Sequence, residues 1–155
     1  MRKQPVSNDF EYALVESKAQ CRDCFAVMQE LRPHLTDVEA FVEQVFRQGE
    51  QGFRLLALIE HGQVIGLAGF RVTENTLYGR FVYIDDLVVT ASQQRRELGA
   101  GLLEEVRRRT RALRYRYLVL DTGLHMPLAQ RFYFRQGLLA KGMHFTQDLN
   151  LGQTL

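Results

Sequence analysis

Apolar positions along the chain change period several times, and each change marks an element. From Phe53 to Glu60 and from Val64 to Thr73 they run almost unbroken on either side of His61-Gly62, which predicts a β-hairpin. Thr76 to Gly79 turns the chain into a further strand, Arg80 to Val89, so three antiparallel strands in succession are expected. Ahead of them, Glu11 to Glu16 reads as a short first strand. Gln20 to Leu31 follows as a helix with Phe25, Met28 and Leu31 near one face, stopped by Pro33. Thr36 and Glu39 have capping-box spacing, and Val38, Phe41, Val42 and Val45 give the helix behind them its apolar stripe.

Beyond Val89 the period lengthens. Gly99 to Arg114 is helical in pattern, with Leu102, Leu103, Val106 and Leu113 inward and Glu104–Arg108 and Glu105–Arg109 pairs outward. Tyr115 to Asp121 is nearly continuous in apolar residues and is expected as a central strand. Pro127 to Gln136 reads as the last helix, with Pro127 in its first turn and Gly137 at its C-terminal cap. Leu138 to Leu149 is expected to supply one or two final strands. No repeat or internal linker interrupts this order, so 155 residues are read as a single α/β domain, 1–155.

Charge and composition narrow the classes. A formal net charge of +2 gives the whole chain no strong pull toward nucleic acid or an anionic membrane. No apolar run is long enough to span a bilayer, and Met1 to Asp9 lacks the apolar core of a secretory signal, so a cytoplasmic protein is expected. Between Arg95 and Arg116 arginines well outnumber the three glutamates. At helical spacing they wrap around the helix rather than form one basic face, and a solvated role near its C-terminal end is the expectation. Cys21 and Cys24 form a lone C-x-x-C without a second ligand pair, which reads as a partly buried thiol pair rather than a metal or redox site.

The segment that carries chemistry is a strand, a glycine loop and a helix: Tyr83 to Val89, then Arg95 to Gly101, then Leu102 onward. A helix start leaves about four backbone N–H groups without intrahelical partners, and with the helix dipole these form an anion site. Gly99 and Gly101 clear side chains from that place, and Arg96 can add a charge-assisted contact. A dinucleotide loop would need a third glycine where Glu104 stands, and a P-loop would need a following Gly-Lys-Ser/Thr; both fail.

With these residues in place the chain resembles the GNAT superfamily of N-acetyltransferases. The family's Arg/Gln-x-x-Gly-x-Gly/Ala signature is matched by Arg96 to Gly101 behind Leu87-Val88-Val89. Its Ala-x-x-Phe-Tyr-x-x-x-Gly-Phe motif is matched by Ala129, Phe132, Tyr133 and Gly137, with Leu138 in place of the phenylalanine. The resemblance covers about Phe81 to Phe145. It implies a mixed, mostly antiparallel sheet of six to seven strands flanked by about four helices, splayed where coenzyme A binds. It also implies acetyl-CoA as cosubstrate without a metal, an amine as acceptor, and leaves a homodimer open. Carried over by position, the diphosphate falls to Arg96, Leu98, Gly99, Ala100 and Gly101, and the pantetheine arm to Leu87 and Val89. Met126 stands where many relatives have an asparagine near that arm. Tyr133 takes the acid position that protonates the departing thiolate. Asp85 aligns with an often acidic position and Asp86 neighbours it; strand alternation sends the two to opposite faces unless a bulge intervenes, so one of them is expected to meet the substrate. His125 and, less strongly, His144 are other candidate bases. The rival reading is a non-catalytic acyl-CoA sensor that keeps the phosphate loop.

Overall fold

The computed structural model describes residues 10–150. They fall into two compact units that divide after Leu120. The first holds β1 (Phe10–Leu14), α1 (Lys18–Asp23), α2 (Phe25–Leu31), α3 (Val38–Glu50), β2 (Phe53–Glu60), β3 (Gln63–Asn75), β4 (Gly79–Val89), α4 (Leu98–Ala112) and β5 (Leu118–Leu120). The second holds α5 (Pro127–Arg135).

The five strands form one sheet in the order β1-β2-β3-β4-β5, antiparallel throughout except for the parallel β4–β5 pair. Alternation along β2 divides the core. Phe53, Leu55 and Ala57 face α1 to α3, where they are buried with Cys21, Val27, Met28, Phe41 and Val42. On the opposite face Leu102, Leu103 and Val106 of α4 are buried. Gly66 lets that helix close on the sheet, since a Cβ there would lie 2.9 Å from Leu102 Cδ1. The hairpin turn is where the sequence puts it, with His61 and Gly62 both at positive φ, which suits a tight two-residue turn.

Several boundaries differ from the expected ones. The helix expected over Gln20–Leu31 starts earlier, at a capping box formed by Ser17 and Gln20, and breaks at Cys24, whose N–H bonds back to Cys21 and Arg22 carbonyls. α3 is capped by Asp37 rather than Thr36: the carboxylate accepts from Glu39 and Ala40 N–H, a stronger contact than a hydroxyl makes. Leu113 is the C-cap of α4, past its last inward turn, and is 49% exposed. The outer pairs of α4 are Glu104 with Arg107 and Arg111, and Glu105 with Arg108 and Arg109, so Glu104 does not take Arg108. The strand expected as central, Tyr115–Asp121, is a three-residue strand at the end of the sheet among the described residues: Arg114 at φ +62 and the residues after it serve as connection, and the register with β4 runs only from Leu118 to Leu120. Leu138 to Asn150, where one or two final strands were expected, makes no ladder among the described residues, and Leu139, Met143 and Phe145 stand exposed.

No helix among the described residues is long and apolar enough to cross a membrane. Cys21 and Cys24 are free and fully buried, and burial pushes their thiols up to about 11 and about 12. No group of three or more potential metal-binding side chains occurs among the described residues.

Candidate active site

Two features of the first unit carry chemistry, and β4 links them. Its pairing with β3 slips at Gly69/Phe70: Gly69 faces Asp86 and Phe70 faces Ile84, leaving Asp85 as an extra residue. This β-bulge overturns the expectation that alternation parts the two acids, because Asp85 and Asp86 both line one cavity of about 380 Å³. The end of α2 and its following turn contribute Met28, Arg32, His34 and Leu35, and α3 contributes Phe41, Gln44, Val45 and Gln48. Phe53 and Tyr83 complete it from the sheet. The turn after α2 thus supplies part of this wall, whereas Tyr78 is not among its lining and packs against Phe81 and Tyr117.

Each acid has its own arginine. Asp85 accepts from Arg71 through both oxygens, Nε at 3.0 Å and Nη2 at 2.8 Å. Asp86 accepts from Arg32 at one oxygen, Nε at 3.1 Å and Nη2 at 2.9 Å, and the same Nη2 donates to the Asp85 carbonyl at 2.8 Å. Asp86 is the more sheltered, with 12% of its side chain exposed. Burial raises its carboxyl above the ordinary range even against Arg32. Gly69 makes room for it: a Cβ there would meet Asp86 Oδ2 at 2.6 Å and the Phe53 ring at 2.7 Å. Arg71 and Gly69 were not singled out from the sequence, since no local spacing ties Arg71 to Asp85, 14 positions away.

The bulge also changes which peptide groups face outward. Thr90 N–H donates to Ile65 of β3, so alternation turns the peptide groups of Leu87 and Val89 to the other edge of β4. β5 pairs that edge only from Val82 to Ile84, leaving it without a strand partner beyond the bulge among the described residues. Gln94 Nε2 reaches the Val89 carbonyl at 3.3 Å. Leu87 and Val89, the two residues expected to hold an extended arm, lie on this unpaired stretch of β4.

A turn of 3-10 helix, Ala91–Gln93, leads to the loop. Arg95 and Glu97 both adopt positive φ, +70 and +59, which folds the backbone around Arg96 into a concave turn ahead of α4. Glu97 is the N-cap but makes no side-chain cap bond, so the first-turn donors of Leu98, Gly99 and Ala100 are not consumed by it. Gly101 has a second reason to be glycine: its Cβ would sit 2.8 Å from Tyr12 Oη. Arg96 is held by Glu60 at 2.8 and 3.1 Å and lies over the Phe10 ring, so it braces the loop from outside. Glu30 fixes the other end of the span, accepting from Thr90 Oγ1 at 2.6 Å and Ala91 N–H at 2.9 Å.

In the second unit, Pro127 opens α5 and Gly137 closes it at φ +86. Tyr133 is half-buried against Phe132, with ring centroids 5.2 Å apart, and burial raises its hydroxyl above the ordinary tyrosine range. A phenol so placed keeps its proton at neutral pH. Met126 is the N-cap of α5 and offers it no side-chain bond, while Gln130 Nε2 donates back to the carbonyls of Gly123 and Leu124. His125 packs its ring over Gly123, and His144 Nδ1 lies 3.2 Å from Asp121 Oδ2.

Comparison with known proteins bears on the family and the fold. The sequence profile described as the acetyltransferase (GNAT) family matches residues 19–138. An N-acetyltransferase of Bacillus subtilis (strain 168), YhdJ, itself described as uncharacterized, is 28% identical over 118 residues, covering 76% of this chain and 82% of the relative. A crystal structure of a Trypanosoma brucei acetyltransferase superposes with a TM-score of 0.75 at 18% identity, over 91% of this chain and 100% of that one. The aminoglycoside N-acetyltransferase AAC(6')-Iy, solved with CoA, superposes with a TM-score of 0.78 at 15% identity, over 96% and 99%. At such identities the two structures speak for the fold.

Proposed function

The chain belongs to the GNAT family of acetyltransferases, and from that premise we propose that it moves an acetyl group from acetyl-CoA directly to a primary amine, acting as one N-acetyltransferase domain over residues 1–155. The observation that carries this reading is the pairing, along one strand, of an open donor edge with an acid-lined cavity: β4 turns Leu87 and Val89 outward just past the bulge that brings Asp85 and Asp86 together.

In this proposal the diphosphate is held by the N–H groups of Leu98, Gly99 and Ala100 at the positive end of α4, with Arg96 and Gly101 shaping the loop. The arm runs along Leu87 and Val89. The amine enters the cavity and loses its proton to Asp86, while Asp85, bound by Arg71, helps hold the ammonium before transfer. The nitrogen lone pair then attacks the thioester carbonyl; the C–N bond forms, the C–S bond breaks, the thiolate takes a proton from Tyr133, the role that the family resemblance gives it, and the second proton that the nitrogen sheds as the amide forms restores the phenol. A positioned base or acid contributes about 10² to 10⁴-fold each. No metal has a part in these steps.

Purified protein incubated with acetyl-CoA and a panel of primary amines is expected to release free CoA thiol, and Tyr133→Phe is expected to lower kcat more than KM. Equal rates for Tyr133→Phe and wild type across pH would remove the tyrosine from the scheme. Tight binding of acetyl-CoA without turnover on any amine would instead favour a sensor.

A further inference from the structure

The charges and walls of the cavity restrict what can enter it. Asp85 and Asp86 are the acids that line it, and each is matched by one guanidinium, so the pocket presents no surplus negative charge. A polyamine or polyamino sugar would have to displace Arg32 or Arg71 to find carboxylates for its extra ammonium groups, and a displaced, unpaired guanidinium at a half-buried site is costly. Arg32 is also only partly used. Its Nε and Nη2 serve Asp86 and the Asp85 carbonyl, while Nη1 has no partner among the described residues and the side chain is 42% exposed. One guanidinium edge therefore remains for an anion a few ångströms from the acid pair. Met28, Leu35, Phe41, Val45 and Phe53 form an apolar stretch of the wall, interrupted by polar side chains such as His34, Gln44 and Gln48. A volume of about 380 Å³ lies at the small end of ligand pockets, which run from about 300 to 1,000 Å³.

We infer that the acceptor is a small zwitterionic amine, a free amino acid or short peptide with an apolar side chain, whose carboxylate is taken by the open edge of Arg32 and whose amino group lies at the Asp85–Asp86 bulge. This rests on the acetyltransferase reading above. A neutral pocket with its charges separated complements a neutral ligand with its charges separated, and rejects a ligand of several like charges. It also gives Arg32 two tasks, one on Asp86 and one on substrate.

The test compares phenylalanine with phenethylamine, which lacks only the carboxylate, and with spermidine and kanamycin as polycations, measuring CoA release by the wild type, Arg32→Gln and Arg32→Lys. The wild type is expected to prefer phenylalanine over phenethylamine by about tenfold or more in kcat/KM, the scale of one charge-assisted contact. Arg32→Gln disturbs Asp86 and so slows both amines, but it is expected to erase the ratio between them; Arg32→Lys, which keeps the charge, is expected to retain part of it. Faster turnover of phenethylamine, spermidine or kanamycin than of phenylalanine overturns the inference and leaves the acetyltransferase reading intact. A ratio unchanged in Arg32→Gln overturns it too. No CoA release with any amine overturns both.

Discussion

The glycine loop before α4 and the cavity beside β4 are built from opposite materials. The loop works with main-chain groups: two residues at positive φ and a helix start whose N-cap side chain is not used. The cavity works with side chains gathered from α2, α3, β2 and β4, and every charged contact in it crosses a long stretch of chain. A backbone site tolerates many side chains and fails when its donors are blocked. A side-chain site fails when one partner is lost. The contrast tells an experimenter which parameter each kind of change should move.

Asp86→Asn is the strongest way to break the cavity while sparing the loop: kcat is expected to fall about 10² to 10⁴-fold with the calorimetric affinity for acetyl-CoA unchanged. The same variant has a pH signature. Because burial raises the folded carboxyl, the acidic limb of kcat/KM should lie above the ordinary carboxylate range in the wild type and vanish in Asp86→Asn. For stability the sign is the reverse of a normal salt-bridged acid. The raised group's contribution is complete below its unfolded value near 3.8 and is lost as pH rises through the folded value, so the variant should lack that slope in denaturation curves.

Ala100→Asp makes the opposite cut. A carboxylate in the first turn suits the helix dipole yet repels a diphosphate, so KM for acetyl-CoA is expected to rise about tenfold or more while kcat at saturation and the melting temperature hold. An unchanged KM would show that the first turn of α4 does not meet the diphosphate.

Gly69→Ala sharpens the comparison with the smallest change. The new methyl would contact both Asp86 and Phe53, and a loss of about 1–3 kcal/mol in stability is expected from overpacking, together with a displaced acid and lowered kcat. Denaturant titration reads the first effect and turnover the second.

The loop was legible because its signals are local: Gly99 and Gly101 sit in one short window behind a recognisable strand, and α5 is bracketed by Pro127 and Gly137. The His61-Gly62 hairpin was legible for the same reason. What could not be read was tertiary. A bulge at Asp85 leaves no trace in a run of residues that fits a regular strand equally well, and without it the two acids fall on opposite faces. Arg32 and Arg71 look like ordinary surface arginines until the sheet brings them to the acids. Gly69 resembles any strand glycine until Phe53 is placed against it. The run from Tyr115 to Asp121 misled because apolar continuity marks burial on both faces in a central strand and also an edge strand flanked by aromatic rings such as Tyr78 and Tyr117.

The two sulfhydryls sealed between α1, α2 and α3 have a practical use at the bench. They are the chain's only cysteines, wholly enclosed and held in the unreactive protonated form. A colorimetric thiol reagent added to folded enzyme should therefore register liberated CoA against a flat background. Two extra equivalents appearing over time would announce that the protein itself had opened.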